Sequence, residues 1–252
     1  MLIRVIDFET CGLPPKDGQV VEVALVDIDA RELALSDGGS TYVCERGRSW
    51  SSLVNPLRPI PPEMSAIHHI TDDMVAGAPV LDDLMPELLD GFEGAPLFAA
   101  HNSRFEQGCA PPWLIGQWIC TYRCSLLAWP EAPSHSNQAL RYWLKLKFAD
   151  DPGLPHRALG DAYVTAALLR RLLSFYPLDA LIASSTQPAL LPRFRFGKHK
   201  GEPIAGVPSD YLQWLLRNPS SDVAASDAED VRFTCQVQLE QRRVASRARS
   251  PV

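Results

Sequence analysis

Five side chains in three distant segments carry the chemistry of this sequence: Asp7 and Glu9 in VIDFET, Glu106 in AHNSRFE, and His156 with Asp161 in HRALGD. Carboxylates are hard oxygen donors, the type that magnesium and manganese select. Asp7 and Glu9 stand two positions apart at the end of an apolar run, Leu2, Ile3, Val5 and Ile6, that reads as a buried strand. At i and i+2 both side chains leave one face of a strand, so both can reach a single point. Hydrolysis of a phosphodiester uses two divalent cations about 4 Å apart, one orienting the attacking water and the other stabilising the leaving oxygen. Asp7, Glu9 and Asp161 are the candidate ligands, with Asp7 bridging, and a near-neutral imidazole at His156 can take the water's proton.

Each residue also has a plain structural reading. Asp7 and Glu9 can be loop carboxylates at a strand end, His156 a helix cap, and Glu106 a solvated acid in a first turn. Their joint occurrence favours chemistry, because each acid falls at a strand end or a helix start where side chains can converge.

The elements that must position them follow from periodicity. A first strand over about residues 2–8 leads through the turn-like Cys11-Gly12-Leu13-Pro14-Pro15 into VVEVALVDID, a second strand, and residues 41–54 supply a third, giving a meander. Pro59, Pro61 and Pro62 break the chain before a short helix beginning near Thr71. Leu81 to Phe92 has helical spacing, PLFAAH is a short buried strand ending at His101-Asn102, and Glu106 opens the next element. Asn102 can orient that strand end by side-chain bonds to backbone. Thr121–Trp129 and Asn137–Leu146 are helical candidates, and Asp161–Tyr176 is a clear helix with Ala162, Thr165, Ala166, Leu169 and Leu173 at helical intervals. Strands first, then alternating helices and strands, predict an α/β fold with a mixed sheet covered by helices.

At 252 residues the chain can bury one sizeable core, and 46 % hydrophobic against 21 % charged residues excludes a disordered protein. No apolar run approaches the roughly 18 residues that span a bilayer, and no signal-peptide pattern follows Met1. Six cysteines lack disulfide or zinc spacing, so a cytoplasmic protein with reduced thiols is expected. Residues 1–192 hold 14 Lys and Arg against 23 Asp and Glu, a net −9, whereas residues 193–252 hold 10 against 7, a net +3. An acidic body attracts nucleic acid poorly unless bound cations reverse its local field. In the basic part, Arg193, Arg195, Lys198, His199 and Lys200 interleave with Phe194 and Phe196, a mixture suited to phosphate contact and base stacking. Tyr211, Trp214 and Leu215 are read as packing residues of an accessory unit.

The blocks VIDFETCGL, AHNSRFE and HRALGDAYVTAALL resemble the three motifs of the DnaQ-like DEDDh 3′→5′ exonucleases, and the likeness runs on through SAIHHIT, WICTYRCSLLAWP, SNQALRYWLKL, FRFGKHKG and DYLQWLL to Asn218. It implies a ribonuclease H-like mixed β-sheet flanked by α-helices, with a small C-terminal accessory unit. It implies metal positions at Asp7, Glu9, Glu106 and Asp161, a catalytic base at His156, and two Mg2+ or Mn2+ ions per site. Glu106 departs from the family's Asp by one methylene, which a small shift absorbs or which weakens the second metal. His68 matches a position near the terminal nucleotide, with a structural loop histidine as the equal alternative; Thr10, its hydroxyl beside the metal acids, can touch the 3′ end; and the basic residues Arg193, Arg195, Lys198 and Lys200 are read as further substrate contacts.

The chain is thus expected to comprise an exonuclease domain over 1–177, a linker or short docking segment over 178–192, a basic and aromatic motif over 193–218 and a flexible, Arg-rich tail over 219–252 that frays or forms a loose helix. The expected substrate is a DNA 3′ end, single-stranded or frayed, with a polymerase or repair partner implied by the family alone. Two alternatives stay open: a 3′→5′ exoribonuclease, and a nucleic-acid-binding module whose catalysis Glu106 impairs.

Overall fold

The computed structural model describes residues 1–252 except 15, 17, 35–39, 149–152, 219–224 and 249–252. Its described elements are β1 (Leu2–Thr10), β2 (Val20–Ala34), β3 (Ser40–Leu53), α1 (Pro62–His68), α2 (Asp72–Val75), a 3-10 turn (Leu81–Leu84), α3 (Met85–Leu89), β4 (Leu97–Ala100), α4 (Ser103–Cys109), β5 (Gln117–Cys120), α5 (Thr121–Ala128), α6 (Asn137–Trp143), α7 (Ala158–Leu173), α8 (Leu178–Thr186), a second 3-10 turn (Ile204–Gly206), α9 (Ser209–Arg217) and α10 (Ala225–Ala248). They fall into two compact units, Met1–Cys124 with Ala132–Ser185, and Ser125–Glu131 with Thr186–Val252.

The first unit is built on one five-stranded sheet of order β3-β2-β1-β4-β5. β1, β2 and β3 form the expected antiparallel meander, while β4 pairs parallel to β1 and β5 parallel to β4. The centre of the sheet is covered on both faces, so Ile3, Val5 and Ile6 of β1 and Val21 through Val26 of β2 are all fully buried. One face, with Phe98 and Trp118 among its own side chains, packs on Leu84 and Leu88, and the other carries α7, whose buried stripe includes Ala162, Leu169 and Leu173. Gly116, just before β5, fits only because it lacks a side chain: a Cβ there would lie 2.5 Å from the Pro96 carbonyl oxygen. Arg4 is also buried, and its guanidinium is satisfied by Asp27 at 2.7 and 2.8 Å and by the Leu88 carbonyl at 2.8 Å.

Four expectations need correction. The helix expected over Leu81–Phe92 is a 3-10 turn followed by a short α-helix, because Pro86 removes a backbone donor where the two meet. Residues 62–68 form α1, with Pro62 at the first helical position that proline tolerates. The segment read as a linker over 178–192 begins with helix α8, and beyond it the Ala189 and Leu191 amides donate to Asp230 Oδ1 at 2.8 Å and Thr234 Oγ1 at 2.9 Å, which ties it down. The tail read as flexible contains α10, a helix of 24 residues. Its apolar stripe, Val231, Cys235 and Leu239, is diluted by charge in sequence yet packs on Phe194, Ile204, Val207, Leu212 and Leu215 to form the core of the second unit. Arg242 of α10 adds bonds to Ser209 Oγ and to the Ile204 and Ala205 carbonyls. The remainder of that tail, 219–224 and 249–252, lies outside the described residues. Among the described residues no helix is long and apolar enough to cross a membrane.

Candidate active site

The acids gather where β1 and β4 end side by side. Within β1 the pleat sends Ile6 and Phe8 into the core and leaves Asp7 and Glu9 half-buried on the opposite face. A register shift between Glu9 and Thr10 ends the regular pairing with β2 beside these carboxylates. From β4 the chain turns through Asn102, whose left-handed conformation (φ 80°) asparagine tolerates, into α4, which presents Glu106. Asn102 makes no side-chain cap bond to α4. Asp161 comes from the first turn of α7, where a negative charge complements the helix dipole.

Asp7, Glu9 and Asp161 each bring an oxygen within 4.8 Å of the others. Glu106 stands in the wall of the same open cleft, about 300 Å³ in volume, which is also lined by Thr10, Leu13, His101, Phe105 and Asn137. Glu106 is 3 % exposed, and among the described residues its Oε2 has no hydrogen-bond partner. Burial of these acids so near one another disfavours their charged forms. Burial first, then the charges of Glu106, Asp161, Glu9 and Glu22, hold the Asp7 carboxyl well above its ordinary pKa. Glu9 is pushed up to about 8 by burial and by Asp161 and Glu22, with Arg157 opposing. Glu106 is raised mainly by burial. A set of hard oxygens, mutually repelling and including a buried oxygen without a partner, fits divalent cations of the magnesium type.

Asp161 is braced on three sides. Gln138 Nε2 donates to its Oδ1, the His156 amide donates to its Oδ2 at 2.9 Å, and Asn137 Nδ2 donates to its carbonyl at 3.2 Å and to Thr165 Oγ1 at 2.7 Å. His156 therefore meets the cluster through its backbone. It sits on a turn at φ 59° with the residue exposed and does not line the cleft. Thr10 does line the cleft, but its hydroxyl is already donated to the Gly12 carbonyl at 2.7 Å. His68 departs furthest from expectation: it closes α1 with no exposure, its Nδ1 accepting the Ile70 amide at 3.1 Å. Burial lowers its pKa, against the Thr10 backbone and the Glu22 charge, and His68 is not among the residues that line the cleft. Arg193, Arg195, Lys198 and Lys200 all belong to the second unit, outside the cleft's lining.

Sequence reasoning missed Glu22. It lies opposite Glu9 in the β1–β2 register, buried, and grips the Arg157 guanidinium with both oxygens while accepting the Ala158 amide at 2.9 Å. α7 has no cap from its own flanking residues, and Glu22 supplies one from across the sheet. The signal was present: an acid inside the otherwise apolar VVEVALV. His101 was missed as well. Its ring is held between Thr121 Oγ1 (2.9 Å) and the His135 carbonyl (2.8 Å), and burial lowers its pKa to about 4, so it forms a neutral wall of the cleft.

Comparison with known proteins accords with this architecture. A family model described as exonuclease (RNase T type) matches residues 5–169. Exodeoxyribonuclease 10 of Escherichia coli K12 is 36 % identical over 226 residues, spanning 87 % of this chain and 93 % of that protein. The structure of exonuclease X in complex with 5′ overhanging duplex DNA superposes with a TM-score of 0.58 at 35 % identity, covering 73 % of this chain and 99 % of the other. A 3′-exonuclease solved in recognition of a histone mRNA stem-loop shares the fold at 18 % identity and a TM-score of 0.52, covering 68 % of this chain and 81 % of the other. With more than half of its length matched by the family model and a 36 %-identical relative covered over 93 % of its length, the chain belongs to the exonuclease family and is a nuclease of ribonuclease H-like fold.

Proposed function

We propose that the chain is a divalent-metal-dependent 3′→5′ exonuclease that hydrolyses the terminal phosphodiester of DNA strands and releases 5′-mononucleotides. The observation that carries this reading is the convergence of Asp7, Glu9 and Asp161 within 4.8 Å beside the buried, unpartnered oxygen of Glu106. Two bound magnesium or manganese ions would supply Lewis acidity for the attacking water and for the charge on the leaving oxygen. Asp7, Glu9 and Asp161 would hold them, with Glu106 serving the second. His156 accepts the proton of the water whose oxygen attacks phosphorus, and the bond to the preceding 3′ oxygen breaks as that oxygen takes a proton from solvent. His156 is exposed and meets Asp161 through its amide, so in this reading its imidazole swings into the cleft when substrate binds.

DNA is the substrate favoured by the names of the relatives, an exodeoxyribonuclease and an exonuclease complexed with duplex DNA. In this reading Thr10 lies against the terminal nucleotide, with His68 supporting it from behind, and Arg193, Arg195, Lys198 and Lys200 contact the strand. A 3′ end that is single-stranded or frayed suits a cleft of this size, and a role in repair or proofreading beside a polymerase or repair partner follows from the family. The six free thiols support a cytoplasmic location. Gel analysis of end-labelled DNA and matched RNA, with magnesium present or chelated, tests reaction, polarity, substrate and metal together. Stepwise shortening from the 3′ end of DNA in magnesium is expected; no shortening, or faster loss of the RNA, would overturn the reading.

A further inference from the structure

The second unit carries a row of aromatic rings that starts on its core, where Tyr211 packs and the His199 side chain is only 11 % exposed, and ends in solvent at Trp214. Sequence spacing assigns Tyr211, Trp214 and Leu215 to packing; Leu215 is indeed buried, but Trp214, on the same helix α9, is 47 % exposed. A tryptophan left in solvent on an amphipathic helix is uncommon where the opposite face already supplies the core. Trp214 is stacked on Tyr211 with centroids 5.6 Å apart and planes 25° apart, and Tyr211 meets the His199 ring edge-on at 4.6 Å. The three rings form a continuous row.

The turn beside this row is fixed in place. Phe194 is buried in the unit's core, and the chain returns on itself through bonds from the Gly201 amide to the Phe194 carbonyl (2.8 Å) and from the Lys200 amide to the Gly197 carbonyl (3.2 Å). Gly197 adopts φ +67°, and a Cβ there would lie 2.6 Å from the Tyr211 hydroxyl, so the turn and the ring row fit only with glycine at this position. His199 is held by Glu202 at 2.8 Å, and Lys198 and Lys200 on either side of it are exposed. Arg193, Arg195, Lys198 and Lys200 crowd nine residues that contain no carboxylate.

We propose that Trp214, backed by Tyr211 and His199 and joined by the exposed Lys198 and Lys200, is a stacking platform that binds single-stranded DNA independently of catalysis. Every base offers a π-face, so an exposed ring beside cations holds a strand without reading its sequence. The charge pattern selects this occupant: residues 193–202 hold four Lys and Arg against one acid, Glu202, whose carboxylate is bonded to His199, an excess of positive charge that suits phosphates. The choice of DNA over RNA rests on the exonuclease reading, whereas the binding itself does not require the cleft to be active.

The test uses the full chain and a fluorescein-labelled oligothymidylate of about 20 nucleotides in EDTA, where no turnover occurs, read by anisotropy over a salt series. Trp214→Ala is expected to weaken binding roughly tenfold and Trp214→Phe to restore most of it. Lys198→Ala with Lys200→Ala is expected to flatten the salt slope by about 1.4, the value for two phosphate contacts on a single strand. An abasic strand of the same length should bind the wild type no better than it binds Trp214→Ala. Circular dichroism confirms folding of each variant. Equal affinity of wild type and Trp214→Ala for the oligothymidylate, undiminished binding of the abasic strand, or tighter binding of a matched RNA would overturn the proposal. Initial rates on a dinucleotide in magnesium, which leaves no further bases to stack, should stay unchanged in Trp214→Ala, which separates failure of the platform from failure of the nuclease.

Discussion

The acidic cleft and the basic turn are built on opposite plans. In the cleft, Asp7, Glu9, Glu106 and Asp161 come from β1, α4 and α7 and are pressed together, so that burial and like charges hold the Asp7 carboxyl well above its ordinary pKa. In the turn, Arg193 to Trp214 fall within one short stretch of chain, and Arg195, Lys198 and Lys200 are exposed. A site that must concentrate cations needs stiff strands from distant parts of the chain to force repelling groups into proximity. A surface that only has to meet phosphates and bases needs one hairpin and one helix. The difference separates residues whose loss stops chemistry from residues whose loss slackens grip.

The largest effect that sharpens this contrast is on turnover. Asp7→Ala is expected to lower the rate of nucleotide release by at least about 10³-fold while leaving the circular dichroism spectrum unchanged, since Asp7 fills no core; near-wild-type release would remove Asp7 from the metal site. Next is Glu22→Ala, which strands Arg157 and uncaps α7. Urea denaturation should show a loss of about 2–3 kcal/mol, less than the removal of a partner from a wholly buried pair because the Arg157 side chain is 35 % exposed. A change under about 0.5 kcal/mol would make the pair ornamental.

The third effect is a pH dependence with a defined sign. Carboxyls whose folded pKa is raised stabilise the fold fully below their ordinary values, and that contribution is lost as pH rises through the folded value. For Glu9 the window runs from the ordinary 4.5 to about 8. Without divalent metal the melting temperature should therefore fall between about pH 5 and pH 8, and 10 mM magnesium, on the order of typical assay levels, should recover most of the loss at the alkaline end. A flat profile in calorimetry would show that the acids are not crowded in solution. Smallest is Glu106→Asp: withdrawing the carboxylate by one methylene should change turnover by less than about tenfold and should appear chiefly as a shift in the magnesium concentration needed. No magnesium-dependent release in either form, with DNA binding retained, would favour a binding module instead.

The same contrast explains what the sequence discloses. β1, β2 and α7 are legible because their apolar periods are long and unbroken, and Asp7, Glu9 and Asp161 are legible because each interrupts such a period at its end. Glu22, Gln138 and Asn137 are not, because what they do depends on which strand or helix lies opposite, a relation between residues far apart in the chain. β5 escapes notice since its four residues run straight into α5 and offer too few positions for a period. α10 hides because Val231, Cys235 and Leu239 are spread through a strongly charged stretch. Trp214 was misjudged for a different reason: helical spacing tells which residues share a face, and a large aromatic at the border of that face can turn either way.

The grip of Glu22 on Arg157 and on the α7 amide has a consequence for how variants of this enzyme would be interpreted. In a library screened for activity, substitutions at position 22 would score like those at the ligands, although the residue touches no substrate. In a library screened for abundance they would score like core lesions. Agreement of two such screens at one position ordinarily signals a misfolded protein; here it would mark the place where the wall of the barrel of charge is bolted to the frame that keeps the fold upright.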